Sequence, residues 1–276
     1  MIVEEYPIQS DGSMPYARLQ VYLWEESEEL GIHDRPLILL CPGGGYAMTS
    51  DREADPIATR FLAMGYHVGI LRYSVAPAVY PTALLEVFHA MKLIREHSAQ
   101  WHVDSGKIFI QGCSAGGHLA ASAGMFWHET WIAEKLGCDS EQLRPAGMIL
   151  CYPVITSGMY AHRGSFEMLL AGQYTDELLV RNSLEQQVNE HTPQTFLWHT
   201  YTDDCVPVEN SLLLISAMKK YNVPVEFHMY PEGGHGLSTC DRLAAMEGGY
   251  GVQEECQSWI PLVQTWLEKR TWKEEK

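Results

Sequence analysis

Short apolar runs that alternate with stretches of helical spacing constrain this chain more than any other feature. Residues 36–41 (P-L-I-L-L-C), 66–73, 107–111, 147–152, 194–200 and 225–230 read as strands, and 17–24 alternates like a half-buried strand. Between them, 51–64, 81–97, 115–127, 209–221 and 252–270 carry helical spacing. A strand that is apolar at successive positions is buried on both faces, and strands separated by helices are joined by crossovers. The pattern therefore predicts an α/β fold, with a mostly parallel central sheet and helices on both faces. With 276 residues, 46% apolar and 20% charged, the chain can bury such a core. No repeat or linker divides it, so one domain over 1–276 is expected.

One stretch breaks the rhythm. Between Val154 and Thr192 only short helical patterns occur, at 165–171 and 175–181. An excursion of that length in a compact domain is either a functional lid or a structural elaboration. A small helical insertion over 155–192 is expected.

Charge and cysteine usage exclude several classes of function. Nineteen Lys and Arg against 35 Asp and Glu give a net charge of −16, which argues against nucleic acid or an anionic membrane surface as partner. The start, M-I-V-E-E-Y-P, lacks the basic and apolar regions of a signal peptide, and no run approaches the ~18 apolar residues of a membrane span. The seven cysteines are scattered and never spaced C-x-x-C, so they read as buried free thiols. The expectation is a cytoplasmic protein with no membrane partner; a homo-oligomer is left open.

The chemistry concentrates at Gly112-Cys113-Ser114-Ala115-Gly116, a G-x-S-x-G between a strand and a helix. A serine on so tight a turn needs small neighbours on either side. The turn lifts its hydroxyl out of the sheet edge and aims a helix N-terminus at the reacting centre, favouring negative charge there. A serine nucleophile needs a base, and the base an orienting carboxylate. In this arrangement they follow in the order serine, acid, histidine, in loops after later strands. Residues 196–200 run into Tyr201-Thr202-Asp203-Asp204, and 225–230 into Pro231-Glu232-Gly233-Gly234-His235-Gly236. His235 is thus the expected base, whereas His118, His199 and His228 read as structural. Asp203 is preferred as the acid because it opens its turn, with Asp204 the alternative.

Pro42-Gly43-Gly44-Gly45-Tyr46 follows the first buried strand, where backbone amides of Gly44 and Gly45 would face the amide of Ala115 across an oxyanion hole. Neither a P-loop nor a dinucleotide fingerprint is met, and no metal-ligand spacing occurs, so no metal and no cofactor are expected. Tyr46, Tyr160, Phe166 and Tyr174 are candidates to wall the acyl pocket, with Tyr46 the candidate substrate contact.

Together, C-P-G-G-G-Y-A, G-C-S-A-G-G-H-L-A-A, H-T-Y-T-D-D-C-V-P-V-E-N-S and P-E-G-G-H-G, spanning 41–236, resemble an α/β-hydrolase. More narrowly, they resemble the esterase branch related to acetyl xylan and other carbohydrate esterases. Two positions depart: Pro42 stands where many H-G-G-G esterases have histidine, and Cys113 precedes the serine where an acidic or aromatic residue is common. The resemblance implies a serine esterase that cleaves short acyl esters, acetyl first, of a small-molecule substrate such as a sugar or xylo-oligosaccharide. A formamidase, a peptidase and a catalytically silent binding module are the competing readings.

Overall fold

In the computed structural model, which describes residues 1–272, eight strands form a single sheet. They are β1 (Ile2–Pro7), β2 (Arg18–Leu23), β3 (Arg35–Cys41), β4 (His67–Arg72), β5 (Val103–Cys113), β6 (Gly147–Cys151), β7 (Thr195–Thr200) and β8 (Val225–Tyr230). Their spatial order is β1-β2-β4-β3-β5-β6-β7-β8. The pairs β1–β2 and β2–β4 are antiparallel, and all pairs from β4 to β8 are parallel. The helices are α1 (Asp55–Ala63), α2 (Thr82–Glu96), α3 (Ser98–Trp101), α4 (Ser114–Phe126), α5 (Thr130–Leu136), α6 (Arg163–Leu170), α7 (Asp176–Arg181), α8 (Glu209–Lys220) and α9 (Trp259–Thr271).

The strands divide by parity, as a sheet buried on both faces requires. Leu37, Leu39 and Cys41 of β3 join a core layer with α2, α4 and α8, while Ile38 and Leu40 join the opposite layer with α1 and α9. The same split separates Met148 and Leu150 from Ile149 and Cys151 on β6. Helix α4 is buried along its whole length. Its small residues let it press onto the sheet: a Cβ on Gly124 would lie 2.2 Å from Met148 Sδ. The predicted α/β-hydrolase architecture is the one observed.

Three boundaries differ from the sequence reading. β1 was not anticipated, because as an edge strand it is exposed at almost every position and carries no burial pattern. β5 begins at Val103, earlier than 107, since Asp104-Ser105-Gly106 interrupts its apolar run. α9 begins at Trp259, not at 252: residues 252–254 are irregular and Glu255–Ser258 wind as a separate 3-10 turn before it.

The excursion after Val154 holds α6 and α7. Leu169, Leu170, Leu184 and Val188 pack on the α2–α4 core layer, and Phe166 joins Val154 and Val206 in a separate cluster. Among the described residues, no helix is long and apolar enough to cross a membrane. The loops after β3, β5, β7 and β8 all open at the carboxyl edge of the parallel strands, where ligands of open α/β sheets bind.

Candidate active site

β5 ends at Cys113 and α4 starts at Ser114, with no residue between. That abrupt turn holds Ser114 at φ 55°, in the left-handed region that costs a residue with a Cβ. The flanking glycines are required by close approach. A Cβ on Gly112 would lie 2.1 Å from the carbonyl oxygen of Gly116, and one on Gly116 would lie 2.0 Å from that of Cys41.

The Ser114 hydroxyl donates to His235 Nε2 at 2.7 Å, and His235 Nδ1 donates to Asp203 Oδ2 at 2.7 Å. The two loops after β7 and β8 thus deliver acid and histidine to the elbow. Asp203 is buried, with Oδ1 accepting from the amides of Cys205 and Val206 at 3.0 and 2.9 Å. Its neighbour Asp204 points into solvent. Burial alone would raise the Asp203 carboxyl, but hydrogen bonds from His199 and His235 overcome it and hold the group well below the usual carboxylate range.

The chain after β3 is bound back on itself. Tyr73 donates to the carbonyl of Pro42 at 2.6 Å, Ser50 N to that of Gly43 at 2.8 Å, and Ala47 N to that of Gly44 at 3.0 Å. Gly44 (φ 131°) and Gly45 (φ 65°) take conformations that glycine favours. Among the described residues their amides donate to no protein acceptor. The amide of Ala115 sits in the first turn of α4, where helical N–H groups have no intrahelical partner. Unused donors on both sides of Ser114 are the groups that an oxyanion needs.

Tyr46 lies elsewhere than expected. Its φ of 58° turns the ring inward, where it is 3% exposed and packs edge-on against Tyr73 and His118. Its hydroxyl donates to His118 Nδ1 at 2.8 Å, and His118 Nε2 donates to the carbonyl of Asn182 at 2.9 Å. Burial lowers His118 to about 4, so it stays neutral and joins the glycine loop after β3, α4 and the excursion. Phe166 is likewise buried, against Val154, Val206 and His118. Tyr160 and Tyr174 are exposed.

Two histidines escaped the sequence reading. His199, read as structural, donates from Nε2 to Asp203 Oδ2 at 3.1 Å and to the carbonyl of Val206 at 2.9 Å. His162, just ahead of α6, is lowered first by burial and then by the charge of His235. His199 was recoverable in principle, being four residues ahead of the acid on the same strand exit. Nothing in the sequence marked His162.

The family model described as BD-FAE matches residues 19–218, which include the glycine loop after β3, the serine elbow and the Asp203 turn. The chain belongs to the BD-FAE family. This BD-FAE chain is 32% identical to endo-1,4-beta-xylanase B of Butyrivibrio fibrisolvens, over 86% of its own length and 41% of that protein's. It is 27% identical to an acetylxylan esterase of Xylanibacter ruminicola, over 71% of this chain and 40% of that one. The BD-FAE chain thus spans about two-fifths of the length of these relatives. Among solved structures, the acetyl ester-xyloside bifunctional hydrolase of Caldicellulosiruptor lactoaceticus superposes with a TM-score of 0.81 at 34% identity, covering 92% of this chain and 88% of that one. The resemblance to esterase-branch α/β-hydrolases, drawn from four motifs, is met by the family match, the acetylxylan esterase and the acetyl ester-xyloside hydrolase.

Proposed function

We propose that this protein is a serine esterase that hydrolyses short acyl esters, acetyl above all, on sugars or xylo-oligosaccharides. The observation that carries the reading is the unbroken relay from the Ser114 hydroxyl through His235 to Asp203, with both links at 2.7 Å. In this account His235 Nε2 takes the Ser114 proton as Oγ attacks the ester carbonyl. The amides of Gly44, Gly45 and Ala115 receive the oxyanion, assisted by the N-terminal end of α4. His235 then returns the proton to the departing alcohol, leaving an acyl group on Ser114. Water, deprotonated by the same histidine, releases the acid and restores the serine. Asp203, kept ionised, holds the histidine with Nδ1 protonated and stabilises the imidazolium that forms in both steps.

The acetyl preference and the carbohydrate alcohol rest on different support. The esterase and xylan-related names of the relatives favour a sugar acetate. The excursion over 155–192, whose Ser165 Oγ is the nearest heavy atom to a Cβ built on Gly45 (3.9 Å) and whose Phe166 packs edge-on against His118, supports a roof over the serine that limits acyl length. A slot of this kind discriminates by about 1–3 kcal/mol per methylene, and the deficits accumulate along the chain. Measuring kcat/KM for acetyl, butyryl, hexanoyl and octanoyl esters of one alcohol tests the reading. A steady fall from acetyl is expected; a maximum at hexanoyl or octanoyl overturns the short-acyl assignment and the sugar-acetate assignment with it.

A further inference from the structure

Beneath the oxyanion loop lies a carboxyl group that the mechanism above does not use. Glu53 is 4% exposed, yet it forms no ion pair among the described residues. Burying such a group is costly unless hydrogen bonds compensate. Its two oxygens are both engaged. Oε2 accepts from the amide of Gly43 at 2.8 Å, and Oε1 accepts from the hydroxyl of Tyr152 at 2.8 Å.

These two donors belong to different parts of the site. Gly43 opens the oxyanion loop and touches the nucleophile: a Cβ there would lie 3.0 Å from Ser114 Cβ and 2.5 Å from Glu53 Oε2. Tyr152 leaves the end of β6 with φ 39°, and its ring stands edge-on to His235 with centroids 5.2 Å apart. Its hydroxyl also accepts from the amide of Ser238, three residues past the histidine, at 2.8 Å. Burial raises the Tyr152 phenol well above its ordinary value, which keeps it a donor to Glu53. A single carboxyl therefore fastens the loop that would bind the oxyanion to the loop that carries the base.

We propose that Glu53 is a positioning residue for ester hydrolysis, acting through Gly43 on the oxyanion loop and through Tyr152 and Ser238 on the histidine loop. The proposal rests on the reading of Ser114, His235 and Asp203 as the reacting triad. A rigid link of this kind matters because a displacement of about 1 Å at a reacting group can cost about a hundredfold in rate. Glu53→Gln keeps the volume but replaces one acceptor oxygen by an NH2 group: turned toward Gly43 it faces a donor, and turned toward Tyr152 it leaves the phenol proton without its acceptor, so one carboxylate bond of the link is lost either way.

The test compares wild type, Glu53→Gln, Tyr152→Phe and the double variant, with turnover of 4-nitrophenyl acetate expressed per active site titrated by the burst. A fall of about a hundredfold in kcat is expected for Glu53→Gln, with KM changed by less than about threefold. Affinity for a trifluoromethyl ketone, which forms a tetrahedral oxyanion on the serine, should fall in parallel; a role confined to stability would leave both per-site values unmoved. The double variant should be no worse than Glu53→Gln to within about threefold, since both act in one network. Per-site kcat and ketone affinity within about threefold of wild type in the single variants, or additive losses in the double, overturn the proposal. If Glu53→Gln does not fold, Tyr152→Phe, which retains the ring, decides by the same two readouts. Ser114→Ala is measured alongside: activity surviving there defeats the triad reading, whereas an inactive Ser114→Ala beside an unimpaired Glu53→Gln defeats only the role given to Glu53.

Discussion

His199 and Asp203 form a fully buried pair in which His199 Nε2 lies 3.1 Å from Oδ2, the same carboxylate oxygen that receives His235. The ring cannot tilt away, because its Nδ1 is held 2.8 Å from Ser211 Oγ. With Nε2 facing two acceptors, the Nε2-protonated form is fixed and Nδ1 accepts from the serine hydroxyl. Asp203 Oδ2 is thereby held by two imidazole donors at once. His199→Leu, which keeps the bulk and removes the donor, should cost about 1.5–3 kcal/mol of stability, as hydrogen bonds to charged groups do. It should also lower kcat by about tenfold or more at unchanged KM, because the acid is freed to rotate. Urea unfolding and steady-state kinetics check the two effects; an unchanged kcat would show that His235 and the amides of Cys205 and Val206 orient Asp203 without His199.

The choice between the two adjacent aspartates follows from burial. Asp203 is enclosed and bonded on both oxygens, while Asp204 faces solvent. Asp203→Asn should lower kcat by about ten-thousandfold through loss of the required histidine tautomer. Asp204→Asn should stay within about threefold of wild type, as exposed charges generally do. The kcat values of the two variants settle the assignment, and the reverse ranking would move the role to Asp204.

Acid should destabilise the protein in two stages. Burial lowers both His67 and His118 from 6.5 to about 4 in the folded state. His67 is also fixed by its neighbours, accepting from the amide of Trp24 and donating to the carbonyl of His102. Between about pH 6.5 and 4 the unfolded chain therefore binds more protons than the native one, so stability falls as pH drops through that window. Each histidine contributes on the order of 3 kcal/mol at most. Asp203 is shifted in the same direction and acts in a lower window: its folded value lies below the unfolded one, so its contribution is intact above about pH 4 and is lost below it. Unfolding free energies at a series of pH values between 7.5 and 3.5 test this. A flat profile down to pH 4.5 would contradict it.

The elbow glycines offer a steric control. Gly116→Ala forces a Cβ to 2.0 Å from the Cys41 carbonyl oxygen, a backbone atom in β3 that cannot step aside. Overpacking of this severity should cost about 3 kcal/mol or more. Gly31→Ala meets nothing within 4 Å and should be neutral. Equal thermal midpoints for the two variants would be inconsistent with so close a packing of α4 on the sheet.

The parts of this molecule that could be read from its sequence are those whose physical cause is local. Leu37 to Cys41 announce a strand buried on both faces because successive residues are apolar. The elbow at Ser114 is legible because only small residues can flank so tight a turn. Asp203 and His235, which the structure brings to Ser114, are singled out by their order and by the strands that precede them. What escaped depends on tertiary placement. β1 carries no pattern because an exposed edge strand needs none. Tyr46 looks like a substrate contact in sequence, but its left-handed backbone points it into the core. The bonds of His199 to Asp203 and of Glu53 to Tyr152 join residues that are unremarkable until the sheet assembles them.

The central claim is that the Ser114 hydroxyl forms the acyl-enzyme. The most direct measurement is peptide mass spectrometry after incubation with diethyl 4-nitrophenyl phosphate, which phosphorylates an activated serine and mimics the acylation step. The account predicts one diethylphosphoryl group per chain, on the peptide containing Ser114, with esterase activity lost in proportion and no adduct in Ser114→Ala. An adduct on another residue that tracks the loss of activity, or full activity alongside a modified Ser114, would contradict it.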